Sequence, residues 1–242
     1  ALAVLGEAVS VFPELCHGCG SCGLVCPTGA VSEADREIGW LEEGIAEGAR
    51  YRPEVRISLE YKLNESRNYC ILGDMGRTLF FCERLGLPNV GVTMDVGHAL
   101  VAKETPAEAM CLAEQAGRLF YVHFNDNGRE WDWDMLPGAY HLWEFIELFY
   151  TLRKLGYDEN WYAFDVFSKE IDTLETFNAV MHLTRKLGAI TDRIEQIDQA
   201  ARDVASGKLE TRVPVTGRDE MAALATTFNE MAAQLQEAAR LQ

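Results

Sequence analysis

Basic residues are scarce in this 242-residue chain, which has 22 Lys and Arg against 38 Asp and Glu and a formal net charge of −16. A surface of this charge repels phosphate groups, which argues against DNA, RNA or an anionic membrane as a partner. Long apolar runs are also missing, because none reaches the roughly 18 residues that a membrane helix needs. The sequence therefore predicts no membrane segment and no nucleic-acid partner.

Cysteine is absent from most of the chain, and four of the seven cysteines fall between Cys16 and Cys26. Clustered cysteines in a long acidic chain without a recognisable signal peptide indicate metal binding rather than disulfides. We therefore expect a cytoplasmic protein in a reducing compartment. The other three, Cys70, Cys82 and Cys111, lie in apolar segments and are expected to act as small buried hydrophobic side chains.

Composition divides the chain into three zones. Residues 1–39 are rich in Gly and Cys, residues 52–187 alternate apolar runs with helical patterns, and residues 189–242 contain no Trp, Tyr or Cys. The stretch 39–53 and Gly188 are interpreted as junctions between these zones. The predicted domains are residues 1–48, 49–187 and 188–242.

Four short apolar runs in the middle zone have the pattern of strands buried on both faces. Helical patterns separate them: Thr105 and Glu108 form a capping box, and Asp172 opens a later helix by the same logic. Strands that alternate with helices of this length predict βαβ units and a parallel sheet. The predicted strands are residues 55–61, 90–96, 119–124 and 161–167. Another helix is predicted from 140 to 155.

Carboxylate and imidazole side chains recur where these strands end. In a parallel α/β barrel, catalytic groups converge at this end of the strands. A single such residue would be an ordinary strand-end polar group, but four strands in matching positions favour a metal site. Oxygen-rich sites with one or two imidazoles suit Mg²⁺ or Mn²⁺. The residues concerned are Glu60, Asp95, His98, His123, Asp126 and Asp165.

The segment 57–167 resembles the second half of a xylose isomerase-like barrel and is most similar to the L-rhamnose isomerase group. The resemblance implies a half (β/α)8 barrel with four parallel strands and two bound ions, Mn²⁺ or Mg²⁺. The implied ligands of the first ion are Glu60, Asp95, His123 and Asp165. The implied ligands of the second ion are His98, Asp132 and Asp134.

The implied reaction is an exchange between an aldose and a ketose, with an open-chain sugar as the partner molecule. Two divalent ions can polarise both reacting oxygens and orient the sugar. The residues leave open a metal-assisted hydride shift and an enediol route. The implied catalytic residues are Lys62, His98, Asp132, Asp134 and Asp165. Lys62 could instead be a solvated lysine. Trp131, Trp133 and Trp143 could line the sugar site or pack in the core.

Half a barrel leaves two sheet edges open and lacks the substrate contacts of the first half. We therefore expect weak or absent turnover, even if metal binds.

The first zone contains the bacterial ferredoxin pattern C-x2-C-x2-C-x3-C-P. Its members are Cys16, Cys19, Cys22, Cys26 and Pro27. The segment is similar to the ferredoxin insert of MinD-type P-loop ATPases, which implies a [4Fe-4S] cluster and electron transfer; a zinc site is the alternative. Only the second of that family's two motifs is present, so the ligand set of a cluster is incomplete.

The last zone carries two apolar seams with a period of 3.5 residues, which is typical of coiled-coil packing. The first comprises Ile190, Ile194, Ile197, Ala201 and Val204, and the second Met221, Leu224, Phe228, Met231 and Leu235. With the glycine-led connector between them, they resemble a HAMP domain, which implies a homodimer through residues 189–242. A generic amphipathic helical hairpin is the alternative.

The sequence thus supports three hypotheses: a sugar isomerase fragment, an electron-transfer module, and a dimerisation or signal-relay element. No pathway logic joins a ferredoxin insert, half a barrel and a HAMP unit. We therefore interpret the chain as an artificial or misassembled fusion.

Overall fold

The computed structural model describes residues 2–5, 8–11, 33–65, 68–157, 161–167 and 171–241. The strands are β1 (Leu2–Leu5), β2 (Ala8–Val11), β3 (Ile57–Glu60), β4 (Val90–Asp95), β5 (Leu119–Phe124) and β6 (Tyr162–Phe164). The helices are α1 (Glu33–Tyr51), α2 (Met75–Leu85), α3 (Val96–Val101), α4 (Pro106–Gln115), α5 (Leu142–Lys154), α6 (Thr173–Ala205) and α7 (Glu220–Arg240). None of these helices is long and apolar enough to cross a membrane.

Strands β3 to β6 form a four-stranded parallel sheet in chain order, which confirms the predicted part of a barrel. The bounds of β5 match the prediction, whereas β3 and β6 are shorter than predicted. Strand β4 ends one residue early because Asp95 turns the chain into α3, accepting a hydrogen bond from the backbone N–H of His98 at 2.8 Å. Strands β1 and β2 form a separate antiparallel pair.

The outer face of the sheet packs on the helices. Met94, Val122 and Phe124 are almost completely buried there, and the Phe124 ring stacks on that of Phe149 at a centroid distance of 5.4 Å. The opposite face carries Ser58 and Thr93, whose hydroxyl oxygens lie 2.7 Å apart. Because side chains alternate along a strand, the metal-ligand candidates share this second, more polar face.

The register between β4 and β5 shifts after Val92, where β5 contains one extra residue, Phe120. The ring of Phe120 occupies the space beside Gly91. A Cβ on Gly91 would lie 2.6 Å from the Phe120 ring and 2.6 Å from the carbonyl oxygen of Arg118. Glycine at this position therefore permits the bulge.

Continuous helices run through both predicted junctions. Residues 39–51 belong to α1, which buries Ala46 and Ala49. Gly188 lies in the middle of the 33-residue helix α6. Its carbonyl oxygen accepts a hydrogen bond from Arg153 of α5 at 2.9 Å, which ties this turn to the barrel. The division into three domains remains a prediction.

Helix α6 serves two hydrophobic cores. Leu187, Ile190 and Ile194 pack against the core of the barrel segment. Farther along, Ala200 and Val204 pack with Phe228 of α7 in a second cluster. Ala201, predicted in the first seam, is exposed, because the α7 contact falls on its neighbour Ala200.

Helix α7 contacts α6 through a different stripe from the predicted one. Its buried residues are Ala222, Ala225, Phe228 and Ala232. Of the predicted seam, only Phe228 is buried, while Leu224, Met231 and Leu235 are 45–50% exposed. Small alanines let the two helices approach closely, which leaves the larger residues on a neighbouring face.

The connector between α6 and α7 is held by side chains. Asn229 pairs with both backbone groups of Val213, at 2.8 Å each. Arg193 pairs with Asp219 at 2.6 Å, and Asp219 in turn caps the first turn of α7 through the N–H of Ala222. A helical carboxyl-terminal pair is therefore confirmed.

Candidate metal centre

Four potential metal ligands meet at the carboxyl ends of the four parallel strands. Glu60 ends β3, Asp95 ends β4, His123 lies in β5 and Asp165 directly follows β6. Each offers one ligand atom, and these atoms all lie within 4.8 Å of one another. Sheet order equals chain order here, so equivalent strand ends converge as the sequence predicted.

His123 links the members of this first group. Its Nδ1 lies 3.0 Å from Glu60 Oε1 and 3.7 Å from Asp95 Oδ2, the second distance being too long for a hydrogen bond. The hydrogen bond to Glu60 raises the pKa of His123. Burial raises the pKa of Asp95, which is 0% exposed, although the neighbouring His98 opposes this shift.

The ligand candidates of the second group are only partly assembled. His98 Nε2 lies 3.0 Å from Asp132 Oδ2, and Lys62 Nζ lies 3.0 Å from the same oxygen. Asp134 is set apart: its Oδ1 lies 3.4 Å from Asn125 Nδ2, and its backbone φ of 48° is left-handed. The Nδ1 of His98 lies 3.6 Å from Glu60 Oε1, which brings the two groups together.

Charge pairing shifts the pKa values in this second group. Burial alone would lower the pKa of His98, but its hydrogen bond to Asp132 and the surrounding carboxylates raise it to about 9. Burial alone would raise the pKa of Asp132, but His98 and Lys62 lower it to about 2. Burial and the charges of Asp132 and Asp165 raise the pKa of Asp134 to about 6.

The first group fits a divalent cation. Three carboxylates and one imidazole are the donor set that Mg²⁺ or Mn²⁺ accepts. Among the described residues, Asp95 Oδ2 and His98 Nδ1 are buried without a hydrogen-bond partner. A buried oxygen of this kind is unfavourable unless a cation or donor compensates it. Glu60, Asp95, His123 and Asp165 could therefore hold an ion.

Three consecutive buried residues follow β5, and of these the sequence pointed only to Asp126, as a strand-end carboxylate without a ligand role. Asn125, Asp126 and Asn127 are all 0% exposed. Asp126 accepts hydrogen bonds from the backbone N–H groups of Tyr140 and His141 at 2.8 and 2.9 Å, and from the His141 ring. A run of polar residues directly after a buried strand was the available signal, because such residues stay buried only when they are hydrogen-bonded.

The tryptophans and cysteines fall in different environments. Trp133 and Trp143 are 62% and 75% exposed, so core packing is wrong for both. Cys82 is buried, whereas Cys70 and Cys111 are half-buried.

The four clustered cysteines, Cys16, Cys19, Cys22 and Cys26, lie outside the described residues. The ferredoxin-like piece and its [4Fe-4S] cluster therefore remain predictions.

The family model of the xylose isomerase-like TIM barrel matches residues 12–202, and the chain belongs to this family. The match includes the stretch from Cys16 to Cys26, which was assigned above to a separate ferredoxin piece. The family model of the HAMP domain matches residues 187–237. The two matches share residues 187–202, all of which lie in α6.

Individual relatives agree with the barrel assignment. A xylose isomerase from Streptomyces lividans is 33% identical over 106 residues, which make up 43% of this chain and 27% of that protein. The chain thus spans about a quarter of the length of this relative.

Two solved structures share the fold of the barrel segment. A xylose isomerase domain protein from Alicyclobacillus acidocaldarius has a TM-score of 0.56 and 24% identity, over 66% of this chain and 60% of that one. The 3-keto-D-glucoside 4-epimerase from E. coli has a TM-score of 0.53 and 17% identity, over 67% of this chain and 59% of that one. At such identities the likeness shows the fold alone.

Proposed function

We propose that residues 57–167 bind divalent metal ions and act on an open-chain sugar as an isomerase or epimerase. The observation that carries the proposal is the convergence of Glu60, Asp95, His123 and Asp165 within 4.8 Å at one end of a parallel sheet. The finer proposal is aldose–ketose isomerisation of the L-rhamnose type. The family assignment and the 33% identity to a xylose isomerase support it.

The proposed roles follow from the positions of the side chains. The first group would hold one ion, and His98, Asp132 and Asp134 would hold a second. A bound divalent ion supplies polarisation of the sugar oxygens. Burial alone would lower the pKa of Lys62, but its ion pairs with Asp132 and Glu65 outweigh burial and raise this pKa. Lys62 therefore stays charged and can stabilise negative charge on a substrate oxygen.

Burial also prepares His98 to hold the second ion. Its side chain is 8% exposed and bonded to Asp132, so its orientation is fixed before a sugar arrives. Exposed Trp133 lies in the same loop as Asp132 and offers an apolar surface for a sugar ring or chain.

The test is Mn²⁺ binding and aldose conversion by the full chain. We expect the full chain to bind Mn²⁺. Glu60→Gln and Asp165→Asn should each weaken the binding of the first ion. Any conversion of L-rhamnose or a related aldose should be lost in His98→Ala and Asp132→Ala. The exposed His182→Ala is the matched control, since His182 lies on α6. Absence of Mn²⁺ binding, or binding that these ligand variants leave unchanged, would contradict the proposal.

A second proposed function is homodimerisation through residues 189–242. The exposed stripe of Leu224, Met231 and Leu235 supports it. Helix α7 packs on α6 mainly through buried alanines, so this apolar stripe is left for another contact. A parallel bundle of two such helix pairs would bury this stripe. Molar mass from light scattering should be that of a dimer, and Leu224→Glu with Leu235→Glu should give a monomer. A wild-type monomer at high concentration would refute this function.

A further inference from the structure

Asn125 and Asn127 hold the same residue, Gly97, from two sides. The Oδ1 of Asn125 accepts a hydrogen bond from the N–H of Gly97 at 2.6 Å, and the Nδ2 of Asn127 donates to its carbonyl oxygen at 2.9 Å. A Cβ on Gly97 would lie 2.6 Å from the first amide and 2.8 Å from the second. Gly97 directly precedes His98, so the two asparagines fix the turn that carries this imidazole.

These hydrogen bonds also decide which way each amide faces. Because Asn125 Oδ1 faces Gly97, its Nδ2 faces Asp134 Oδ1 at 3.4 Å. The Oδ1 of Asn127 accepts from the N–H of Arg129 at 2.9 Å, so its Nδ2 also faces Asp132 Oδ1 at 3.4 Å. An amide nitrogen only donates, so each aspartate faces a donor. At 3.4 Å these contacts are long and contribute orientation more than binding energy.

The loop that carries the two aspartates is closed at its base. Asp126 and Met135 exchange two backbone hydrogen bonds of 2.9 and 2.8 Å. The carboxylate of Asp126 is bonded to the start of α5. The loop therefore forms one closed unit, and the flanking asparagines attach this unit to the turn of α3.

We propose that Asn125 and Asn127 are positioning residues that join the His98 turn to the Asp132 and Asp134 loop, so that the second metal site assembles as a unit. This inference rests on the proposed metal-binding function. Among the described residues, the hydrogen-bond partners of the two side chains are Gly97, Arg129 and the two loop aspartates, not the ligand candidates of the first group. Their loss should therefore weaken the second ion selectively.

The experiment measures the separate affinities of the first and second Mn²⁺ ions for the full chain, by electron paramagnetic resonance of free Mn²⁺. Asn125→Ala and Asn127→Ala remove one amide each, and Gly97→Ala displaces both amides without deleting either. We expect each variant to bind the second ion about 10- to 100-fold more weakly, which is the usual effect of losing a residue that orients a ligand. The affinity of the first ion should change by less than about twofold.

The matched control is Asn89→Ala. Asn89 also holds the backbone through its side-chain amide, because it donates hydrogen bonds to the carbonyl oxygens of Ala49 and Val55 at 2.9 and 3.0 Å. General destabilisation would lower both affinities together in all four variants. Either that result or an unchanged second affinity would overturn the inference. An unchanged second affinity would leave the proposed first site intact.

The wild-type chain separates the two proposals. A wild-type chain that binds one ion would overturn the second site and the positioning role, and it would leave the first site in place. One that binds none would overturn the proposed function as well.

Discussion

Replacing Asp95 with Asn should stabilise the metal-free protein and remove its response to metal. Asp95 is 0% exposed, and its Oδ2 lacks a hydrogen-bond partner among the described residues. Burial raises its pKa from 3.8 to about 7. A rise of this size makes the ionised folded state about 4 kcal/mol less stable than an unperturbed carboxylate would.

The sign follows from proton binding. Between pH 3.8 and about 7, the folded state of the wild-type protein holds more protons at Asp95 than the unfolded state does. Its free energy of unfolding therefore falls as pH rises through this window. Asn does not titrate, and its Oδ1 can still accept the hydrogen bond from the N–H of His98. Asp95→Asn should gain up to about 4 kcal/mol over wild type between pH 4 and pH 8.

The assay is urea unfolding with a chelator at pH 4 and pH 8, repeated at pH 8 with Mn²⁺. At 100 times its dissociation constant, Mn²⁺ should add about 2.7 kcal/mol to the wild-type protein and little to the variant. Asp172→Asn is the control, since Asp172 also caps a helix but is exposed. A metal-free variant less stable than wild type at pH 8 would refute the reasoning, because the neighbouring imidazoles would then outweigh burial.

Three further predictions concern separate features. Gly91→Ala should lower the free energy of unfolding by about 1–3 kcal/mol, because a Cβ would lie 2.6 Å from both Phe120 and Arg118. Gly39→Ala in α1 is the control and should not lower it, because a Cβ there meets nothing within 4 Å. Asn229→Ala should destabilise the helix pair by about 1–3 kcal/mol in thermal unfolding, since both backbone groups of Val213 lose their partner; the exposed Asn178→Ala should be neutral. An imidazole binds metal only when deprotonated, and the pKa of His98 is about 9, so the affinity for the second Mn²⁺ should rise about tenfold per pH unit from pH 6 to 8. A flat profile would show that His98 is no ligand.

The sheet and its ligand candidates were predictable because they depend on local patterns. Each candidate of the first group lies at or just after a strand of apolar residues, and parallel neighbours bring equivalent ends together. Strand β5 was predicted at its true bounds because every residue of Leu119–Phe124 except the bulge residue Phe120 pairs in the parallel ladder.

The features that were missed depend on contacts between distant residues. Gly188 is an unfavourable helix residue by about 1 kcal/mol. On either side of it, however, Leu187 is buried and Ile190 is partly buried in the barrel core. Arg153 also donates a hydrogen bond to the carbonyl oxygen of Gly188, so the helix continues. Asn125 meets Gly97 across 28 positions of sequence, which no local pattern reveals. The stripe of α7 that contacts α6 is decided by close approach at Ala225 and Ala232 rather than by the larger residues.

The number of residues in helix α6 sets the angle between the metal centre and the helix pair. Its 33 residues extend about 50 Å at 1.5 Å per residue, and successive residues turn by about 100°. One residue inserted between Ile194 and Ile197 would rotate α7 and its exposed stripe by about 100° around the axis of α6. Seven inserted residues, close to two full turns, would nearly restore the angle while moving the pair about 10 Å farther away. The phase between the two halves of this protein can therefore be adjusted in steps, with the sheet left unchanged.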